Sequence, residues 1–410
     1  MVSHDTPQTN EILTDNNIRR RRETFLPFAL PHITQAEIDE VVDTLRSGWL
    51  TAGPKTKRFE REFADATGAS YAVAVNSATS GLHLALNALG VGPGDEVIVP
   101  VYTFTATAAV IIHCGAKPIF VDVDPNTYNL APAALELAIT PHTRAIMIVH
   151  IAGLPAEMDE IMAIARKHAI PVVEDAAHAF PSLYRGRTIG TISDITVFSF
   201  YATKTLATGD GGMLTTESSV YAQRVAMMAL HGISRDAWKR YSIEGSWYYE
   251  VLDMGYKYNM TDIAAALGIH QLARRQWLFE RRKAIAQHYN AAFSQCEELG
   301  IPMDVEYVQH AWHLYPLRLH LEQLSITREE FIRDLTQANI GSSVHFIPLH
   351  LHPYYRDIFH LQPKDFPHAL YAYEREVSLP IYPGMTEEDV EDVIFAVKGI
   401  LAKNRHSSLM

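Results

Sequence analysis

The sequence predicts an α/β protein: a mostly parallel sheet of seven strands flanked by helices, followed by a smaller C-terminal α+β domain. Three observations carry this. Seven short apolar runs, Tyr71–Val75, Glu96–Val99, Pro118–Val123, Ala145–Val149, Pro171–Glu174, Ile195–Phe200 and Met213–Thr216, alternate with helical stretches. The runs are apolar at successive positions, as strands covered on both faces must be. Beyond Gly300 the texture changes to mixed helix and strand.

Residues 1–23 are polar, with a basic run at Arg19–Arg22, and read as a mobile tail. The large α/β domain is expected over residues 24–280. From Ile33 the pattern is helical: Ile38, Val41, Val42 and Leu45 share one face expected to be buried, and Gly48 closes the helix. A helix after the first strand carries Leu82, Ala85, Leu86 and Leu89 on its apolar face, and Met158–His168 carries Ile161, Ile164 and Ala165. One long helical pattern follows Asp262 and runs through Leu272 towards Tyr289. The small domain, residues 281–410, is expected to contain strands at Leu314–Leu319 and Gly341–Phe346. It closes with a helix over Glu387–Leu401 that opens on the capping box Thr386-Glu387-Glu388-Asp389.

With 410 residues, 48% of them hydrophobic, the chain can bury a large core. Its net charge, 35 − 47 = −12, argues against a nucleic-acid-binding surface. No apolar run approaches the roughly 20 residues that cross a bilayer, and no signal segment opens the chain. A cytoplasmic protein without membrane attachment is therefore expected. Two distant cysteines, Cys114 and Cys296, exclude a disulfide scaffold and a CxxC metal site. His350 and His352 lack a third ligand at a typical spacing and read as part of a loop, so no metal is expected.

In parallel sheets ligands bind beyond the carboxyl ends of the strands. There, Pro171-Val172-Val173-Glu174-Asp175-Ala176-Ala177-His178 ends a strand on a carboxylate with an imidazole three residues later; a helix N-cap is the competing reading of Asp175. Ile195–Phe200 is followed by Lys204 and then Gly209-Asp210-Gly211-Gly212. Desolvation lowers the pKa of such a lysine and makes its amine nucleophilic; a surface lysine in a glycine-rich loop is the alternative. Asn76-Ser77-Ala78-Thr79-Ser80-Gly81 is a strand-to-helix turn whose small residues let backbone N–H groups face an anion, although such residues also simply cap helices. An amine, a carboxylate, an anion cradle and the aromatic Phe104 together match the needs of pyridoxal phosphate.

These stretches, with Ser47-Gly48-Trp49-Leu50-Thr51-Ala52-Gly53-Pro54 and Gly255-Tyr256-Lys257-Tyr258-Asn259-Met260, resemble the DegT/StrS-type sugar aminotransferases. The resemblance runs from about Phe28 to Leu401. It implies fold type I, with Lys204 forming the Schiff base to pyridoxal phosphate and Asp175 pairing with the ring nitrogen. It further implies Ser199, Thr79 and Ser80 on the phosphate, Phe104 stacked on the ring, and His178 at the other ring face or the O3′ side. His345 and Tyr201 would face the substrate, His345 being equally readable as a core histidine. The Gly255–Met260 segment would complete the neighbouring subunit's site through Lys257 or Asn259, which implies a homodimer. Relatives that dehydrate sugars replace the lysine with histidine, so Lys204 points to transamination. The expected substrates are a nucleotide-linked keto sugar and an amino donor such as glutamate, by ping-pong half-reactions. Another fold type I enzyme, an aldolase or desulfurase, or a non-catalytic regulator that binds the cofactor, are the alternatives; Trp247, Tyr248 and Tyr249 would stack on a base or fill an interface.

Overall fold

Seven strands form the central sheet of the computed structural model, which describes residues 22–233 and 248–406. In chain order the first half runs α1 (Gln35–Ser47), α2 (Pro54–Thr67), β1 (Tyr71–Val75), α3 (Ala78–Ala88), β2 (Glu96–Pro100), α4 (Thr105–His113), β3 (Lys117–Val121), α5 (Pro132–Ala138), β4 (Thr143–Val149), α6 (Met158–Lys167) and β5 (Val172–Asp175). There follow β6 (Leu183–Tyr184), β7 (Arg187–Thr188), β8 (Ile195–Ser199), β9 (Gly212–Thr216), α7 (Ser219–Met228), α8 (Asp262–Ala273) and α9 (Arg275–Phe293). The remainder comprises β10 (Leu299–Gly300), β11 (Val308–Gln309), β12 (Tyr315–Leu319), α10 (Arg328–Gln337), α11 (Pro353–Phe359), α12 (Pro367–Arg375), β13 (Glu376–Leu379) and α13 (Glu387–Asn404).

The central sheet has the order β1-β9-β8-β5-β4-β2-β3 and contains all seven anticipated runs, with ends moved by a residue or two. Its neighbours are parallel except at β9, which runs against both β1 and β8. Alternate strand residues enter two cores. On one face Ile146, Ile148 and Phe198 pack with Phe59 and Phe63 of α2, Ile161 of α6 and Ile269 of α8. On the other, Met147, Val173 and Val197 pack with Leu82 and Leu86 of α3 and Val225 of α7. A third core joins α9, α10 and α13 to the antiparallel sheet β10-β12-β13, and takes in Leu26, which pairs with Ile340. The capping box at Thr386 and Asp389 is formed, and α13 extends to Asn404.

Three sequence expectations change. First, α1 ends at Gly48 in the left-handed conformation (φ +75°), but its buried residues are Glu37 and Thr44, while Ile38 and Leu45 are 47% and 54% exposed. The helix turns its polar face to α8, where Glu37 meets Arg274 and Glu40 meets His270, and to α2, where Glu40 also meets Lys55. Second, the pattern from Asp262 to Tyr289 breaks at Arg274 into α8, on the central sheet, and α9, whose Phe279 and Ile285 enter the third core. Third, Gly341–Phe346 is not a strand. Only Ser343 pairs, with Ser378, because Gly341 N–H goes to Leu26 and His345 N–H to the Glu376 carboxyl. Arg22, at the end of the basic run, is ion-paired with Asp389 and Asp392.

Asp262 ties distant segments together. Wholly buried, it accepts N–H bonds from Gly53, Lys55 and Thr56 and the Thr56 hydroxyl, and so caps α2 from about 200 residues away.

Candidate active site

Four strand ends converge on one crevice. Asp175 is the last residue of β5 and Ser199 the last of β8; β9, running the other way, begins there at Gly212. Gly212 lies between Val75 and Ser199 in the ladder. A Cβ on it would stand 2.8 Å from Ala78 N and Ser77 C and 2.9 Å from Phe198 O, so only glycine admits the first turn of α3. Ser77 caps that helix, accepting the Ser80 N–H at 3.1 Å. Ser80 also spends its hydroxyl on Asn76 Oδ1 at 2.6 Å. Helix geometry then leaves the amides of Ala78 and Thr79 without intrahelical acceptors. Thr79 is exposed and the half-buried Ser199 accepts the Tyr201 N–H at 3.4 Å, whereas Ser80 braces the turn.

Lys204 follows a tight turn in which its N–H donates to Tyr201 O. Its Nζ lies 3.4 Å from His313 Nε2. Burial pulls the amine pKa down to about 8; Asp175 opposes that fall and the Arg282 guanidinium adds to it. Asp175, 6% exposed, begins no helix, so the N-cap reading fails. Its Oδ2 accepts the Thr107 hydroxyl at 2.8 Å and its Oδ1 the Ala177 N–H at 3.1 Å. Burial pushes the carboxyl pKa up, against Thr107, Ala177 and Lys204. Arg282, also buried, reaches the carbonyls of Thr203, His313 and Ile381.

Rings wall the crevice. His178 lies between His313 (4.4 Å between centroids) and Phe346 (5.7 Å), and Phe346 meets Phe104 at 6.0 Å. Phe104, at the start of α4, is 57% exposed, as Tyr201 is to 53%. Burial, helped by the Lys204 charge, holds His178 and His313 neutral and pushes His345 down to about 4. His345 is held through its main chain: its N–H donates to Glu376 Oε2 at 2.8 Å, and its carbonyl accepts the Tyr102 hydroxyl at 2.6 Å.

Not every candidate joins this group. Asn259 pairs with Val75, and Asn76 N–H donates to Tyr258 O, so the Gly255–Met260 segment lies along its own chain's β1 end, with Lys257 Nζ donating to Asn259 Oδ1 at 2.6 Å. His350 is buried against Phe366. Burial raises the Cys114 thiol to about 11, which suits packing rather than a nucleophile. Tyr248 and Tyr249 are exposed; Trp247 lies outside the described residues. Sequence reasoning missed His313, Arg282, Thr107, Phe346, Glu376 and Ser378. Only His313, a polar residue in the apolar stretch Ala311–Tyr315, left a visible signal.

The residues fit pyridoxal phosphate. Asp175 is a buried carboxyl with no ion-pair partner among the described residues, which a protonated ring nitrogen would supply. The Lys204 amine is poised to lose its proton, and the Gly212 notch opens onto free amides. Together these groups can hold a phosphorylated aldehyde and move protons at a carbon beside it.

Comparison with known proteins agrees. Residues 31–398 match the family model of the DegT/DnrJ/EryC1/StrS aminotransferase family. The spore coat polysaccharide biosynthesis protein SpsC of Bacillus subtilis is 52% identical over 383 residues, covering 93% of this chain and 98% of that protein. The putative sugar aminotransferase Spr1654 of Streptococcus pneumoniae, in its PMP form, is 38% identical with a TM-score of 0.87 over 92% of this chain and 99% of that one; a PLP form also superposes, at 0.87. Helicobacter pylori PseC, an aminotransferase involved in the biosynthesis of pseudoaminic acid, is 26% identical with a TM-score of 0.85, covering 93% of this chain and 100% of that one.

Proposed function

The chain belongs to the DegT/DnrJ/EryC1/StrS aminotransferase family, as a fold type I sugar aminotransferase that uses pyridoxal phosphate, and on that premise we propose that it moves an amino group from glutamate to a nucleotide-linked keto sugar. The observation that carries the reading is the buried Lys204 amine with its pKa near 8, at the strand ends that also present Asp175 and Ser199. The sugar chemistry named in the relatives SpsC, Spr1654 and PseC supports the substrate class.

When bound, pyridoxal phosphate supplies an aldehyde carbon for amine exchange and a ring that accepts the electrons of a broken C–H bond. Lys204 would hold the group through its Nζ. Once freed by the amino donor, the Lys204 amine would act as the base that takes the proton from the donor's α-carbon onto Nζ and later gives it up as the acid. Asp175, oriented by Thr107, would pair with the ring nitrogen and favour its protonated form. Ser199 and the Thr79 amide would hold the phosphate, Ser80 bracing their turn, and His178 and Phe104 would confine the ring. One water would be consumed in releasing the donor's keto acid, and the same residues would act in reverse on the sugar ketone, whose condensation returns a water.

The half-exposed apolar face of α1 supports a homodimer, in which Lys257 or Asn259 completes the partner's phosphate site. Two free cysteines suit the cytoplasm, and among the described residues no helix is long and apolar enough to cross a membrane. The test is a panel of UDP-, dTDP- and GDP-linked 3-keto and 4-keto sugars with glutamate as donor. Parallel-line kinetics with one of them are expected. An obligatory ternary complex, or no turnover on any member, would overturn the reading.

A further inference from the structure

Glu376, Ser378 and His345 form a chain of contacts beside the crevice. Glu376 and Ser378 lie two residues apart on β13, on the same face, and neither exposes any surface. Glu376 Oε1 and Ser378 Oγ are 2.5 Å apart, and Ser378 Oγ is 2.9 Å from His345 Nδ1. The Glu376 and Tyr102 bonds to the His345 main chain fix the ring's base.

Counting protons sets the direction of the chain. Glu376 is wholly buried and makes no ion pair among the described residues; Arg328, the cation that acts on it, spends its bonds on Tyr373 O and Glu329. A lone carboxylate in that setting is too costly, so the acid keeps its proton. Oε2 already accepts the His345 N–H, which puts the proton on Oε1, facing Ser378. The Ser378 oxygen accepts it and the Ser378 proton passes to His345 Nδ1. In a neutral imidazole the remaining proton is then on Nε2, the ring nitrogen turned away from Ser378. Phe28 stacks on the ring at 5.3 Å and Phe346 meets its edge at 5.2 Å. Phe346 also meets His178 and Phe104, which places the His345 ring at the wall of the crevice.

We propose that Glu376 and Ser378 are positioning residues that fix His345 as a hydrogen-bond donor through Nε2–H to an oxygen of the sugar substrate. This rests on the keto-sugar reading above and names a residue that determines sugar specificity.

The test uses holoenzyme with 15N-labelled histidine, the His345 signals assigned by loss in His345→Gln, together with the two half-reactions followed separately through cofactor absorbance. Wild type and Glu376→Gln should both show the Nε2–H tautomer, because the amide N–H2 replaces the acid proton towards Ser378. Ser378→Ala should lose that preference and weaken the keto-sugar half-reaction about 10- to 100-fold while sparing the glutamate half-reaction. Burial holds Glu376 at about 8, against Ser378, His345 N–H and Arg328. The wild-type keto-sugar step should therefore decline above that pH, and in Glu376→Gln that decline should be absent. Of the other groups around Glu376, Tyr102 and Tyr128 titrate higher and His345 lower. Lys204 titrates in both proteins and cancels in the comparison.

An Nδ1–H tautomer in wild type, a tautomer inverted by Glu376→Gln, or equal losses in both half-reactions of Ser378→Ala would overturn the proposal. If no keto sugar reacts at all, the assigned substrate class fails, while the tautomers of the three proteins still decide the relay.

Discussion

Replacing Asp175 with asparagine should make the Lys204 amine more acidic. Burial already lowers that amine from 10.5 to about 8, and the Asp175 charge is the influence that resists the fall. At pH 7 an amine of pKa about 8 is roughly one-tenth neutral, against about 0.03% for an ordinary lysine, a gain of roughly 300-fold in nucleophile. Asparagine keeps an acceptor for Thr107 but removes the charge, so the amine should titrate lower still, by about 1 to 2 pH units. The assay is the rate at which pyridoxal and cyanoborohydride label position 204 of the cofactor-free protein across pH 5 to 11, read by peptide mass. Wild type should inflect near 8 and Asp175→Asn below it. An inflection near 10 in wild type, or a higher one in the variant, would refute the argument.

Lys204→Ala should abolish turnover, and borohydride reduction of the holoenzyme should leave the cofactor on position 204 alone, as peptide mapping would reveal. Gly212→Ala forces a methyl group against Ala78, Ser77 and Phe198 backbone atoms; thermal unfolding should show a loss of about 1 to 3 kcal/mol and the purified protein less bound cofactor. Glu376 is protonated in the folded chain at pH values where the unfolded chain has lost that proton. Its contribution is complete below about 4.5 and lost as pH rises through about 8. Raising the pKa from 4.5 to about 8, at about 1.36 kcal/mol per pH unit, amounts to about 5 kcal/mol of stability. Denaturant titrations of Glu376→Gln should lack that decline; matching slopes in both proteins would contradict an uncharged buried acid.

The sheet was legible because each strand is apolar on both sides and bounded by helical periodicity, a pattern that survives any tertiary detail. Asp175 and Lys204 were legible for the converse reason: a charge placed where an apolar strand runs out has few uses. The errors arise where burial depends on partners that lie far away in sequence. Ile38 and Leu45 look like a core stripe, yet α8 offers α1 ions rather than apolar surface. Gly341–Phe346 looks like a strand, but a side-chain carboxyl takes the N–H that a ladder needs. Arg282 stands between Arg281 and Lys283, and only its rotation on α9 makes it the buried member of that basic run.

That same guanidinium joins Thr203, next to the lysine, to carbonyls at Trp312, His313 and Ile381. It works as a rivet between the chain segments that carry them. A shift of either segment must therefore carry the other along, so the lysine and its imidazole neighbour stay a preassembled pair.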